Sequence, residues 1–227
     1  MKSQEWIFKV DKLTASLEEV STGRSYSTSV YALERSELPL VIKKNGWKFN
    51  WREEFAYDVK TVYKLIANDF PDEIQGLISL SDAGDHIFMP LVETAPHNFG
   101  RNKKFHGVLG NLVAFACKLS FEKGHDGEVG FIAKTALIPH YEKELGAKSL
   151  MGTRMGIFKA EAKKLVSCIL QRFLLMITQK SLHSLDSVGY LGKQKKMAKK
   201  EYLLELKKSS EALRLYKSKH FPSKKAA

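Results

Sequence analysis

Two runs decide how this chain is read: His86-Ile-Phe-Met-Pro-Leu-Val-Glu93 and Lys104-Phe-His-Gly-Val-Leu-Gly-Asn-Leu112. The first is apolar, ends on a glutamate and reads as a buried strand. Ile74–Leu80 precedes it as a second strand, and Ser81-Asp-Ala-Gly-Asp85 supplies the turn residues of a β pair. Thr94–Gly100 reads as a loop. The second run opens a helix expected over Phe105–Lys123, with Val108, Leu112, Ala116 and Leu119 on one face. Glycine near a helix start lets the backbone approach a ligand. The unpaired N–H groups and the positive end of the dipole there attract an anion such as a pyrophosphate. Close helix–strand packing explains such glycines equally well.

The pattern continues on both sides. Val129–Ala133 reads as a short strand, Thr135–Leu145 as a helix carrying Tyr141 and capped by Gly146, and Ala147–Leu150 with Met155–Phe158 as a hairpin around Gly152. Ala160–Ile177 reads as a helix. Upstream, Trp6–Val10 reads as an edge strand, Lys12–Val20 and Arg24–Glu34 as a hairpin, and Leu38–Lys43 as a strand. Asn50 and Glu53 resemble a capping pair. The helix they open is expected to carry Phe55, Val59, Val62, Tyr63 and Ile66 on one face and to stop at Asn68–Asp72. The expected fold is therefore α/β, with one mixed, mostly antiparallel central sheet flanked by helices.

This order of elements, the glycines at the helix start and Tyr141-Glu-Lys-Glu-Leu-Gly-Ala147 together resemble the GCN5-related N-acetyltransferase family. The resemblance covers about residues 70–160, and the N-terminal part only by strand order. In that family an Arg/Gln-x-x-Gly-x-Gly/Ala motif binds the acetyl-CoA pyrophosphate, and a later helix carries Tyr-x-x-x-Gly-Phe or something close. Here Lys104 stands in place of Arg or Gln, and Gly107 fits the first glycine. Leu109 falls on the second small position, with Gly110 one residue late. Lys134 stands where the family often has asparagine.

The resemblance implies an acyl-CoA N-acyltransferase fold and direct acetyl transfer from acetyl-CoA to a primary amine, without metal. The acceptor is a small-molecule or protein amine. It implies a co-substrate site made of Leu91, Val92, Glu93, Lys104, Phe105, His106, Gly107, Val108, Leu109, Gly110, Asn111, Lys134 and Tyr141. The backbone of Leu91–Glu93 is expected to meet the pantetheine arm beside a splayed strand. Glu93 resembles the family's catalytic glutamate in position, and Tyr141 its general acid. On chemistry alone, Glu93 among Met89, Leu91 and Val92 is either a base of raised pKa or a hydrogen-bonded strand-end carboxylate. Tyr141 is either an acid for the thiolate or a ring packed on the sheet. His97 either relays protons or is solvated. Trp47, Phe49, Trp51 and Phe55 either line an acceptor pocket or form core.

Charge adds a different kind of information. The 227 residues carry a formal +12, and Lys180–Ala227 hold 13 basic against 4 acidic residues, which is +9 of it. Residues 1–179 thus read as a nearly balanced acetyltransferase-like domain, and 180–227 as a basic linker and amphipathic helix. The stripe Tyr202, Leu203, Leu206, Leu213 and Tyr216 suits docking on the body or on a second subunit in a homodimer, while lysines within 193–219 suit nucleic acid. The alternative function is therefore nucleic-acid binding on a degenerate fold of this kind. Two cysteines, Cys117 and Cys168, lie in apolar runs without CxxC spacing, and no HxxxH pair occurs. A disulfide framework and a metal site are not expected. No stretch is long and apolar enough for a signal peptide or a bilayer span, so the expected location is the cytoplasm.

Overall fold

In the computed structural model of the chain, the described residues are 17–167, within one compact unit spanning Met1–Ile169. The Trp6–Val10 segment, Cys168 and the basic region 180–227 lie outside the described residues.

The elements are β1 (Leu17–Glu19), β2 (Ser25–Tyr26), β3 (Thr28–Ala32), α1 (Trp51–Phe55), β4 (Thr61–Ala67), β5 (Phe70–Asp82) and β6 (Ile87–Thr94). There follow β7 (Phe105–His106), α2 (Val108–Glu122), β8 (Val129–Ile132), α3 (Ile138–Leu145), β9 (Lys148–Met151) and β10 (Arg154–Ile157). A further helix runs over 159–167. Seven strands form one mixed sheet in the order β3-β4-β5-β6-β8-β10-β9. Among the described residues, only β6 and β8 pair in parallel; the other pairings are antiparallel. A small second sheet has the order β2-β1-β7. The architecture is the mixed, mostly antiparallel sheet flanked by helices that the sequence led us to expect.

Helix α2 packs across β4, β5 and β6. Its buried positions include Val108, Leu112, Ala116 and Cys117, the helical stripe legible in the sequence. Opposite them, Gly76 of β5 leaves room for the helix: a Cβ there would sit 2.8 Å from Val108 Cγ1. A second core contains Leu33, Leu38, Val41, Trp47, Trp51, Val62, Ile66, Ile74, Leu77 and Ala95, with Phe49, Phe55 and Leu91 packed against it. Trp47 and Trp51 meet edge to face, ring centroids 6.4 Å apart. For the two tryptophans the core reading of the aromatic knot holds.

Three local expectations are corrected. The helix opened at Asn50 ends at Phe55, and the residues assigned to its later turns form β4. Val59, required by the helical stripe, is 77% exposed, so that spacing was coincidental. Thr61-Val-Tyr-Lys-Leu-Ile is β-branched and aromatic, and it pairs with β3 and β5 on its two edges. Asn50 also makes no cap to the backbone; its amide donates to Glu53 Oε2. Leu38–Lys43 is not a strand. Arg35–Leu40 is a 3₁₀ turn whose start is closed by a Glu34–Glu37 capping box, and Pro39 within it has no N–H for a ladder. Finally, the long helix begins at Val108, because Phe105–His106 pairs as β7 with β1. Gly107, at φ 89°, makes the break between them, a conformation that favours glycine.

Candidate active site

The parallel pairing of β6 with β8 is short. It runs Ile87↔Val129, Phe88↔Gly130, Met89↔Phe131 and stops. On the other edge of β6, the register against β5 shifts by one residue between Ser81↔Phe88 and Ser79↔Leu91, which places a β-bulge at Met89–Pro90. Proline has no N–H to give a ladder and is found at such bulges. Beyond Pro90, β6 keeps β5 as its partner while β8 pairs onward with β10, as in Ile132↔Arg154. The two parallel strands therefore splay.

Which backbone groups face the gap follows from the alternation of an antiparallel ladder. Ala95 N–H donates to Gln75 C=O at 2.9 Å. In that register Glu93 faces Leu77 and Leu91 faces Ser79 through hydrogen-bonded pairs. The N–H and C=O of Val92, between them, point to the splayed side. Of the three backbone residues named from the sequence, Val92 is thus the one whose polar groups face the gap.

The gap is a cleft of about 110 Å³ lined by Phe49, Met89, Pro90, Leu91, Val92, Phe131, Ile132, Lys134, Leu137 and Tyr141. Tyr141 comes from α3, which Gly146 terminates at φ 65° in the left-handed C-cap conformation. Its ring stands edge to face on Phe131, centroids 5.4 Å apart. Burial pushes its phenol up to about 12, so it is protonated near neutral pH. Lys134 is exposed and lines the same cleft. The sequence did not single out Pro90 or Phe131. A proline inside a strand pattern was the available signal for the bulge.

Glu93 is 1% exposed and engaged on both oxygens. Its Oε1 accepts the Lys48 N–H at 2.6 Å; its Oε2 accepts the Trp51 Nε1–H at 2.7 Å and the Phe49 N–H at 3.4 Å. Burial raises its pKa, and these donors pull it back down only in part. Both properties considered for Glu93 are present at once: a raised pKa and a fully hydrogen-bonded strand-end carboxylate.

The glycine-framed helix start is arranged differently from an open phosphate cradle. Residues 107–111 are all buried. Lys104 bonds Glu73 at 2.8 Å and lies over the Phe70 ring. Phe105 is fully buried against Tyr26, and His106 sits opposite Glu18 in the small sheet. The Asn111 amide donates back to the Gly107 carbonyl. Val108 and Leu109 are 2% and 4% exposed. The cleft brings Leu91, Val92, Lys134 and Tyr141 together; Lys104–Asn111 do not line it.

A single mixed sheet, parallel at one junction that splays beside a tyrosine-bearing helix, is the architecture implied by the resemblance. No protein-family model matches the chain, and no curated protein matches it. Among solved structures it is similar to spermidine N-acetyltransferase from Vibrio cholerae (TM-score 0.44, 14% identity, 59% of this chain and 95% of that one). It is also similar to the ribosomal-protein-S18-alanine N-acetyltransferase from Escherichia coli (0.42, 14%, 57% and 90%). A third is the AtaT toxin, solved with the C-terminus of the antitoxin AtaR and acetyl-CoA (0.42, 14%, 61% and 97%).

Among the described residues, no group of three or more His, Cys, Asp and Glu is placed to hold a metal ion. No described helix is long and apolar enough to cross a membrane. Cys117 is buried in α2, which pushes its thiol pKa far up and makes it a poor nucleophile.

Proposed function

We propose that the protein is an acetyl-CoA-dependent N-acetyltransferase that passes the acetyl group directly to a primary amine. The observation that carries this reading is the open edge of β6 after the Pro90 bulge, facing Tyr141 across a narrow, mostly apolar cleft. Such a cleft fits a pantetheine arm, which is slender and hydrogen-bonds like a peptide.

In this reading Val92 presents its N–H and C=O to the pantetheine arm and thioester. Tyr141 gives its proton to the departing thiolate; a phenol held neutral by burial is suited to that. Lys134, exposed on the cleft lining, meets the anionic end of CoA. The buried first turn of α2 and the Lys104–Glu73 pair argue against the glycine run as the main phosphate anchor. Glu93 acts as a positioning residue. Its three donors come from Lys48, Phe49 and Trp51, so its carboxylate holds the 48–51 segment, and with it Phe49, at the cleft wall.

Calorimetric titration with acetyl-CoA tests the reading. One-site binding in the micromolar range is expected, weakened about tenfold by Lys134→Glu. Absence of heat at high micromolar acetyl-CoA overturns it.

A further inference from the structure

We propose that the donor's acyl group lies in the closed end of the cleft between β6 and β8, and that Met89 there limits it to acetyl or propionyl size. This rests on the acetyl-transfer reading above and adds to it the chain length of the donor.

The cleft has one blind end. β6 and β8 stay paired through Met89↔Phe131 and part beyond that rung. Paired strands lie about 4.8 Å apart and are joined by backbone hydrogen bonds, so no chain passes between them. The opposite end is open. Ile132, the last residue of β8, lines the cleft and is 64% exposed, and the exposed Lys134 follows it. In the acetyl-transfer reading Lys134 takes the charged part of CoA. The pantetheine arm therefore runs inward from Lys134, and the acyl group at its far end points toward the last paired rung. Val92, which meets the thioester, is separated from Met89 only by Pro90 and Leu91.

Both side chains of that rung line the cleft, and both are buried: Met89 is 6% exposed and Phe131 4%. The Tyr141 ring braces Phe131 edge to face, which makes Phe131 a fixed wall. Met89 is the adaptable side of the rung, because its side chain is unbranched and turns about three bonds. Phe49, Pro90 and Leu91 complete the surround. None of these five side chains donates a hydrogen bond, so the chain they suit is short and hydrocarbon. In a closed apolar pocket one methylene changes discrimination by about tenfold or more. Met89→Ala removes the γ, δ and ε atoms, room enough for the two further carbons that turn acetyl into butyryl.

The full-length protein labelled with [methyl-¹³C]methionine tests this by NMR, Met89 being assigned from the signal lost in Met89→Leu. The Met89 methyl signal is expected to move with added acetyl-CoA and to move far less with added CoA, which has the same arm and no acyl group. By calorimetry the wild type should bind butyryl-CoA at least about tenfold more weakly than acetyl-CoA. Met89→Ala should bring the two within about threefold, and Met89→Leu, of similar volume, should keep the wild-type ratio. A Met89 signal that answers alike to CoA and acetyl-CoA overturns the inference and leaves the acetyl-transfer reading in place. So does equal wild-type affinity for acetyl- and butyryl-CoA, or a wild-type ratio retained by Met89→Ala. Absence of heat with acetyl-CoA overturns both.

Discussion

The pair Trp51–Glu93 offers the sharpest test of how the site is held. Trp51 and Glu93 are both buried, at 0% and 1% exposure, and the indole N–H is 2.7 Å from Oε2. A hydrogen bond to a charged group contributes about 1.5–3 kcal/mol. Trp51→Phe deletes the donor but also leaves a small void, so the single variant overstates the bond. A double-mutant cycle with Glu93→Gln removes that excess. We expect a coupling energy of about 2 kcal/mol from urea denaturation at pH 8, in the range of hydrogen bonds to charged partners. Its pH dependence follows from the direction of the Glu93 shift. Burial raises the folded pKa above the unfolded value, so ionised Glu93 is a cost to folding. Stability from this group is full below the unfolded pKa, near 4.5, and is lost as pH rises through the folded pKa. The indole donor favours the ionised form. The cost of Trp51→Phe should therefore be larger at pH 8 than at pH 5. Coupling below about 0.5 kcal/mol, the usual limit of additivity, or a cost independent of pH, would refute the reasoning.

Three further outcomes are expected. Tyr141→Phe keeps the edge-to-face contact with Phe131 but removes the phenol. It should lower the rate of CoA thiol release about 100-fold, in the range of general acid catalysis, with acetyl-CoA affinity by calorimetry changed less than threefold. Asp82 is held at about 2 by the Gly84 N–H, Lys123 and His125. Its contribution is present above the unfolded pKa and lost as pH falls from about 4 toward 2. Acid unfolding of Asp82→Asn, followed by circular dichroism, should therefore be shallower in that window. The basic region predicts binding of RNA or DNA that weakens linearly on a log–log salt plot, and deletion of 193–227 should abolish it in filter binding or anisotropy.

Local signals carried well where an element's partners lie close along the chain. The β5–β6 hairpin has only four residues, Ala83–His86, between its strands. The stripe on α2 repeats within its own length, and Gly146 reports the end of α3 by itself. They failed where two readings were locally equal. Thr61–Ala67 shows a passable helical spacing, and what makes it a strand is pairing with β3 and β5. Phe105–His106 looks like the first turn of a helix until β1, about ninety residues earlier, pairs with it. The site divides in the same way. Of the residues that the resemblance implied, Leu91, Val92, Lys134 and Tyr141 come to line one cleft, whereas Glu93 and Lys104–Asn111 do not. Pro90 was in plain view, yet its effect depends on a bulge that exists only against β5.

The sequence by itself determined the fold class, the helix that carries the tyrosine, and the placement of most of the net charge in the last 48 residues. Each of these depends on composition or on periodicity within about fifteen residues. Only the tertiary structure decided that β6 and β8 part after Met89, that Val92 faces the gap and that the first turn of α2 is buried. It also decided that the Glu93 carboxylate is bonded from Lys48, Phe49 and Trp51, more than forty residues away. Strand pairing and burial are contacts between distant parts of the chain. The free energy that selects them comes from area and hydrogen bonds that exist only once both partners are in place.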